Sequence, residues 1–276
     1  MKYIKQTIVA GCTILKSVFP STGKRKPGQK RKPKVNRSPE SVRKANLRNA
    51  IIKLTAIINE NFRNGDYHLV LTFADDPSLE EVKDRLQKFL RRMRGRSKAK
   101  TSGFEWKWVA SIEHKGKPHV HMVCSRVDRK IIEACWPWGH ASFHPLDTDG
   151  EYSGLADYFC KETEETFREP DAIQKQRYTH SRNCIIPQPR QKQLTKAEYL
   201  DEINHPEDHE EIEEGKLDLD TIERYDHLIT EEQCLFCIIR SAHPIEGYRK
   251  GRPAEYEPEY VSTMRDDEEN RGGGDA

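Results

Sequence analysis

Residues 105–123 read EWKWVASIEHKGKPHVHMV, and the reading of this stretch decides the fold. Trp, Val and Ile dominate Glu105 to Glu113, a strand pattern. Gly116-Lys-Pro118 breaks the run, and His119 to Val123 forms a second strand. Two strands this close predict an antiparallel hairpin. Side chains alternate along a strand, so His119 and His121 share one face while Val120 and Met122 share the other. Residues next to a hairpin turn lie opposite one another at about 5 Å. Glu113 is therefore expected to complete a set of two imidazoles and one carboxylate, whereas His114 should face away. Such a set, with open positions, suits Mn²⁺ or Mg²⁺ holding a phosphate, and it also admits zinc. An isolated His-x-His is a weak motif that a bare polar strand face explains as well, so the flanking chain carries the decision.

Upstream, Tyr67 to Phe73 (YHLVLTF) is a strand, and Pro77 to Arg94 is an amphipathic helix with Leu79, Val82, Leu86, Phe89, Leu90 and Met93 in one stripe. Downstream, a short helix spans Asp128 to Cys135. A Trp- and Gly-containing loop then leads to a strand ending near Pro145, and another helix covers Gly154 to about Phe167. The order β-α-β-β-α-β-α predicts an α+β fold, an antiparallel β-sheet with flanking helices. Residues 1–20 read as one or two strands. Ser38-Pro-Glu-Ser41 starts a helix running to about Phe62, with a Ser cap and Pro in first position. Beyond Pro187 the chain turns polar. Helices are expected over Lys196–Ile203 and Asp218–Leu228, and Cys234 and Cys237 are expected on an apolar helix with Leu235, Phe236, Ile238 and Ile239. Three regions result: 1–40, strands and a basic linker; 41–190, the main domain with its leading helix; and 191–276, an acidic and partly disordered end.

The net charge of +2 over 276 residues conceals a strong segregation. Residues 1–100 carry 25 Lys/Arg against 8 Asp/Glu, and residues 191–276 carry 10 against 24. A basic front half points to a polyanion partner. Its densest parts are the Pro/Gly-containing linker 21–38 and the cluster Arg91, Arg92, Arg94, Arg96, Lys98 and Lys100, both suited to phosphate contacts. Seven scattered cysteines imply no disulfide framework and a reducing, cytoplasmic setting. Cys234 and Cys237, even with His227 and His243, are too loosely spaced for a structural zinc site. The apolar run from Gln6 to Gly11 is too short for a signal-peptide core, and no segment reaches membrane-spanning length, so no membrane partner is expected.

A nucleophile is the remaining requirement. In Asp157-Tyr-Phe-Cys-Lys161, Tyr158 and Lys161 are three apart and share a helix face. An ammonium beside a phenol favours the phenolate and can hold a phosphate oxygen. A tyrosine nucleophile fits chemistry that must conserve a phosphodiester bond for later rejoining.

Taken in order, HLVLTF (68–73), KPHVHMV (117–123) and YFCK (158–161) resemble the three motifs of HUH endonucleases of the replication-initiator class. WPWGHASFHPLDTDGEYSGLADYFCKE (136–162) and YTHSRNCIIP (178–187) resemble bacterial rolling-circle initiators of phage-like and mobile elements. The resemblance covers roughly residues 1–190. It implies a ferredoxin/RRM-like core and site-specific nicking and joining of single-stranded origin DNA through a 5′-phosphotyrosine. It further implies metal ligands Glu113, His119 and His121, with Tyr158 and Lys161 catalytic. Arg91, Arg92, Arg94, Arg96, Lys98 and Arg182 would then contact DNA. Neither Glu162 nor Gly154 is a second tyrosine, so the chain resembles single-tyrosine initiators. Tyr3, placed as a relaxase nucleophile would be, lacks the surrounding context. With no GxxxxGK[ST] in the chain, a host helicase, and with it a polymerase, is expected as partner. Rival readings are a relaxase- or transposase-like HUH nuclease and a non-catalytic basic DNA-binding regulator. A HIT-type nucleotide hydrolase is disfavoured because Val123 stands where a third alternating histidine would be.

Overall fold

A computed structural model describes residues 1–21, 39–100, 105–113, 116–147, 150–164, 176–206, 217–227, 232–241 and 245. The linker 22–38, and with it most of the basic stretch noted above, lies outside the described residues, as does everything beyond 245. Among the described residues, ten strands and five helices form two antiparallel five-stranded sheets, an α+β fold as expected. No helix there is long and apolar enough to cross a membrane.

The first sheet has the order β8-β1-β2-β10-β9. It joins a hairpin of β1 (Lys2–Ala10) and β2 (Thr13–Ser21) to β8 (Arg190–Leu194), β9 (Leu217–Asp226) and β10 (Gln233–Ser241). Both ends of the described chain therefore meet in one sheet. Two expectations are corrected here. The helix expected over Asp218–Leu228 is strand β9, and the apolar helix expected around Cys234 and Cys237 is strand β10. An unbroken apolar run cannot by its period separate a strand from a buried helix segment. β10 is an interior strand: Phe236 and Ile238 pack beneath α1 (Pro39–Asn61), and Leu235 packs on the other face with α5 (Lys196–Asn204). That double cover makes every position apolar. Strand alternation also puts the two cysteine sulfurs on opposite faces, so they do not share a metal ion.

The second sheet has the order β6-β3-β5-β4-β7: β3 (Tyr67–Thr72), β4 (Trp108–Glu113), β5 (His119–Cys124), β6 (Ala141–Pro145) and β7 (Thr179–His180). One face carries Leu69, Leu71, Ala110, Ile112, Val120 and Met122. α2 (Leu79–Lys100) and α3 (Arg129–Cys135) cover it with Val82, Phe89, Met93 and Ile132. The opposite face carries Val109 and Val123 beneath α1 and α4 (Ser153–Glu162). α1 thus lies between the two sheets. Ile52 and Ala56 face the first sheet, and Leu54, Ile57 and Ile58 face the second cluster, which is why its apolar residues run nearly all the way round.

Candidate active site

The β4–β5 hairpin pairs Glu113 with His119 and Ser111 with His121. All four side chains occupy the face under α1 and α4. The His119 Nε2 lies 2.9 Å from Glu113 Oε2, and the His121 Nε2 lies 3.4 Å from the same oxygen. One ligand atom from each of the three residues falls within 4.8 Å of the others, the arrangement read from the hairpin. His119 Nδ1 lies 3.1 Å from the Lys117 carbonyl, to which it donates. The Nε2 of His119 is then a bare lone pair aimed at a carboxylate. His121 is kept neutral by burial and by the neighbouring His119 and His68, which drive its pKa down to about 3. Acceptors converging without a proton between them repel one another. A cation relieves that repulsion, and the donor set of two imidazoles and a carboxylate fits a divalent metal.

Helix α4 brings the phenol. Ala156, Phe159 and Cys160 are buried against Val109, Val123 and α1. The Tyr152 N–H at the helix start donates to Asn59 Oδ1 at 3.0 Å, and the Asn59 amide donates to Thr13 Oγ1 at 2.9 Å. α4 is thereby tied to α1 and to the β1–β2 hairpin. Tyr158, one turn on, projects over the metal-ligand cluster with its hydroxyl 3.2 Å from His121 Nε2 and its ring 38% exposed. The helix ends at Glu162 rather than near Phe167, with Thr163 Oγ1 donating back to the Phe159 carbonyl; residues 165–175 lie outside the described part.

Lys161 does not behave as its spacing suggests. Its ammonium is mostly exposed and pairs with Asp157 at 2.7 Å. The Tyr158 pKa is raised, by burial first and then by the charges of Glu162 and Glu113. The Glu113 pKa is raised too, by burial and by Glu162 against the lowering influence of His119. Glu162 and His68 are two residues that sequence reasoning missed. Glu162 is Tyr158 plus four, one turn further along the same helix face. His68 has Val70 and Thr72 on its own face, but only the strand order places it beside His121, at 5.7 Å between ring centroids.

The basic residues divide. Arg91, Arg94 and Arg96 are exposed on α2, which covers the sheet face opposite the cluster. Arg92 donates to the Cys135 carbonyl and lies over the Trp138 ring at 4.8 Å. Lys98 belongs to the same helix, though its side chain is outside the described part. Arg182 is exposed in the turn after β7. Trp106, Trp108 and Trp136 are core residues, and Trp138 is half-buried. Tyr3 belongs to the first sheet, where it bonds Glu232 and stacks on Tyr199.

Residues 66–163 match a family described as Replication-associated protein ORF2. That span begins just before β3 and ends just after α4, so it contains Glu113, His119, His121, Tyr158 and Lys161. The match to this replication-associated family supports a replication initiator that acts on DNA. No curated protein and no solved structure matches the chain.

Proposed function

We propose that this chain is a rolling-circle replication initiator of the HUH type, which nicks and rejoins single-stranded origin DNA through a 5′-phosphotyrosine intermediate. The observation that carries the reading is the Tyr158 hydroxyl, 3.2 Å from a ring nitrogen of the Glu113–His119–His121 cluster. In the proposed reaction the Tyr158 oxygen attacks the scissile phosphorus in line. The bond from phosphorus to the 3′ oxygen breaks, and the phenol proton is lost while a 3′-OH is released. One high-energy ester replaces another, so the reverse attack by a 3′-OH reseals the strand.

His119, His121 and Glu113 would hold Mn²⁺ or Mg²⁺, which supplies positive charge to the scissile phosphate. The protein's own groups set the resting state. Burial and two carboxylates keep Tyr158 a phenol until a phosphate and a cation change the balance. Lys161 would have to leave Asp157 to hold the phosphotyrosine. Unwinding and synthesis would come from a host helicase and polymerase. The test is incubation with end-labelled single-stranded origin DNA and Mn²⁺, followed by denaturing electrophoresis. Wild type should give a denaturation-resistant adduct that chelation prevents, and Tyr158→Phe should give none while still binding DNA. An adduct surviving Tyr158→Phe puts the nucleophile elsewhere; no adduct with any variant favours a regulator without catalysis.

A further inference from the structure

His119 and His121 differ in what holds their outer nitrogens. His119 gives its Nδ1 proton to the Lys117 carbonyl. His121 turns its Nε2 to Glu113 and Tyr158, so as a neutral ring serving as ligand or acceptor it must carry its proton on Nδ1. That Nδ1 is buried and makes no hydrogen bond. A buried donor without an acceptor costs about 1–3 kcal/mol, so it calls for a partner.

Two further buried polar atoms on the same sheet face also lack a bond, Ser111 Oγ and His68 Nε2. Ser111 stands directly across from His121 on β4. His68 stands diagonally across on β3, two residues from Val70, which is paired with His121. Proton bookkeeping separates the two. A serine hydroxyl brings a proton of its own, so a bond from His121 to Ser111 leaves one donor still unmatched. The bare nitrogen of a neutral His68 brings none. The two rings are 5.7 Å apart at 29°, and rotation about the broad χ2 of histidine turns the nitrogens toward each other. Burial, reinforced by His144, lowers the His68 pKa to about 4, which keeps its lone pair available.

We propose that His68 is a positioning residue for the metal site: its Nε2 accepts the Nδ1 proton of His121, fixing the tautomer and ring plane that aim the His121 Nε2 at Glu113 and Tyr158. The role rests on the metal-site reading above, in which the outer nitrogen of a ligating histidine needs a fixed partner.

The test compares His68→Phe, which removes the acceptor, with His68→Gln, whose side-chain carbonyl replaces it, and with Ser111→Ala. Long-range ¹H–¹⁵N spectra of the metal-free protein read the His121 tautomer, and Mn²⁺ titration reads affinity. Wild type and His68→Gln should hold the Nδ1 proton of His121 in place, and His68→Phe should lose that preference. Mn²⁺ affinity should fall about 10–100-fold in His68→Phe and be largely retained in His68→Gln. Ser111→Ala should leave both readouts unchanged. Circular dichroism checks folding, and His68→Leu replaces His68→Phe should the latter not fold. An unchanged tautomer and affinity in His68→Phe, an equal loss in His68→Gln, or the same loss in Ser111→Ala overturns the role. Should the wild type itself take up no Mn²⁺, the metal reading falls, while the tautomer spectra still decide for or against His68.

Discussion

At Tyr158 two carboxylates and partial burial act in the same direction, against ionisation of the phenol. Glu162 is the larger of the two charge contributions, and it also raises the Glu113 pKa. Removing its charge should therefore lower the Tyr158 pKa toward the ordinary phenol value. Glu162→Gln, followed by ultraviolet titration against a Tyr158→Phe blank, should show that downward shift; an upward shift or none would mean that Glu162 does not bear on the phenol. Glu113→Gln keeps the shape of the cluster and removes its one anionic ligand. Mn²⁺ affinity should fall at least tenfold by calorimetry, with the thermal midpoint little changed. Gly139 is the tightest residue near the site. A Cβ there would lie 2.1 Å from the Thr72 carbonyl, the atom that also accepts the Trp136 indole N–H. Backbone cannot yield as a flexible side chain would, so Gly139→Ala should destabilise by about 2–4 kcal/mol in urea unfolding.

Among the elements, α5 is held to the first sheet by an unusual contact. Lys16 is fully buried in the interior strand β2, and its ammonium meets Glu202 Oε2 at 3.2 Å and the Pro206 carbonyl at 3.1 Å. Lys5 bonds the other Glu202 oxygen at 2.7 Å. Burial pushes the Glu202 carboxyl up, but Lys5 and Lys16 together outweigh it, and the net pKa is lowered. A carboxyl with a depressed folded pKa adds stability above its unfolded value near 4.5. That contribution fades as pH falls through the lower folded value. Glu202→Gln leaves Lys16 buried without a counter-charge and should cost about 3–5 kcal/mol at pH 7. The gap between wild type and variant should narrow as the pH is lowered through that window, measured by urea unfolding. A gap that stays constant with pH would remove the ionised Glu202 from the account.

Seen whole, the second sheet separates two functions that lie close together in the sequence. Glu113, His119, His121 and Tyr158 are under α1 and α4, while Arg91, Arg94 and Arg96 ride on α2 across the sheet. A short strand held at Tyr158 cannot also lie along α2. Under the proposed function, Arg91→Ala with Arg96→Ala should leave cleavage of a short oligonucleotide intact. The same pair should weaken binding of longer origin DNA and flatten its salt dependence, by about one unit of slope for each phosphate no longer neutralised. Equal impairment on short and long substrates would bring the α2 cluster to the scissile segment instead.

The strands β3, β4 and β5, the helix α4 and the trio Glu113, His119 and His121 are legible because each rests on local rules: alternation, helical period, and a turn only a few residues long. Glu113 opposite His119 follows from hairpin register alone. The same rules fail for β9 and β10, where an interior strand covered on both faces loses its alternation and reads like a helix. His68 and Glu162 stay hidden because nothing local says which strand neighbours β5 or which way α4 leans. Lys161 misleads because a helix offers it two neighbours, and Asp157 at four residues wins over Tyr158 at three. Local chemistry in the chain determines which groups are present and which face of their own element they occupy. Only packing decides which faces meet, because contacts between distant elements depend on strand order and burial, which no short window of sequence contains.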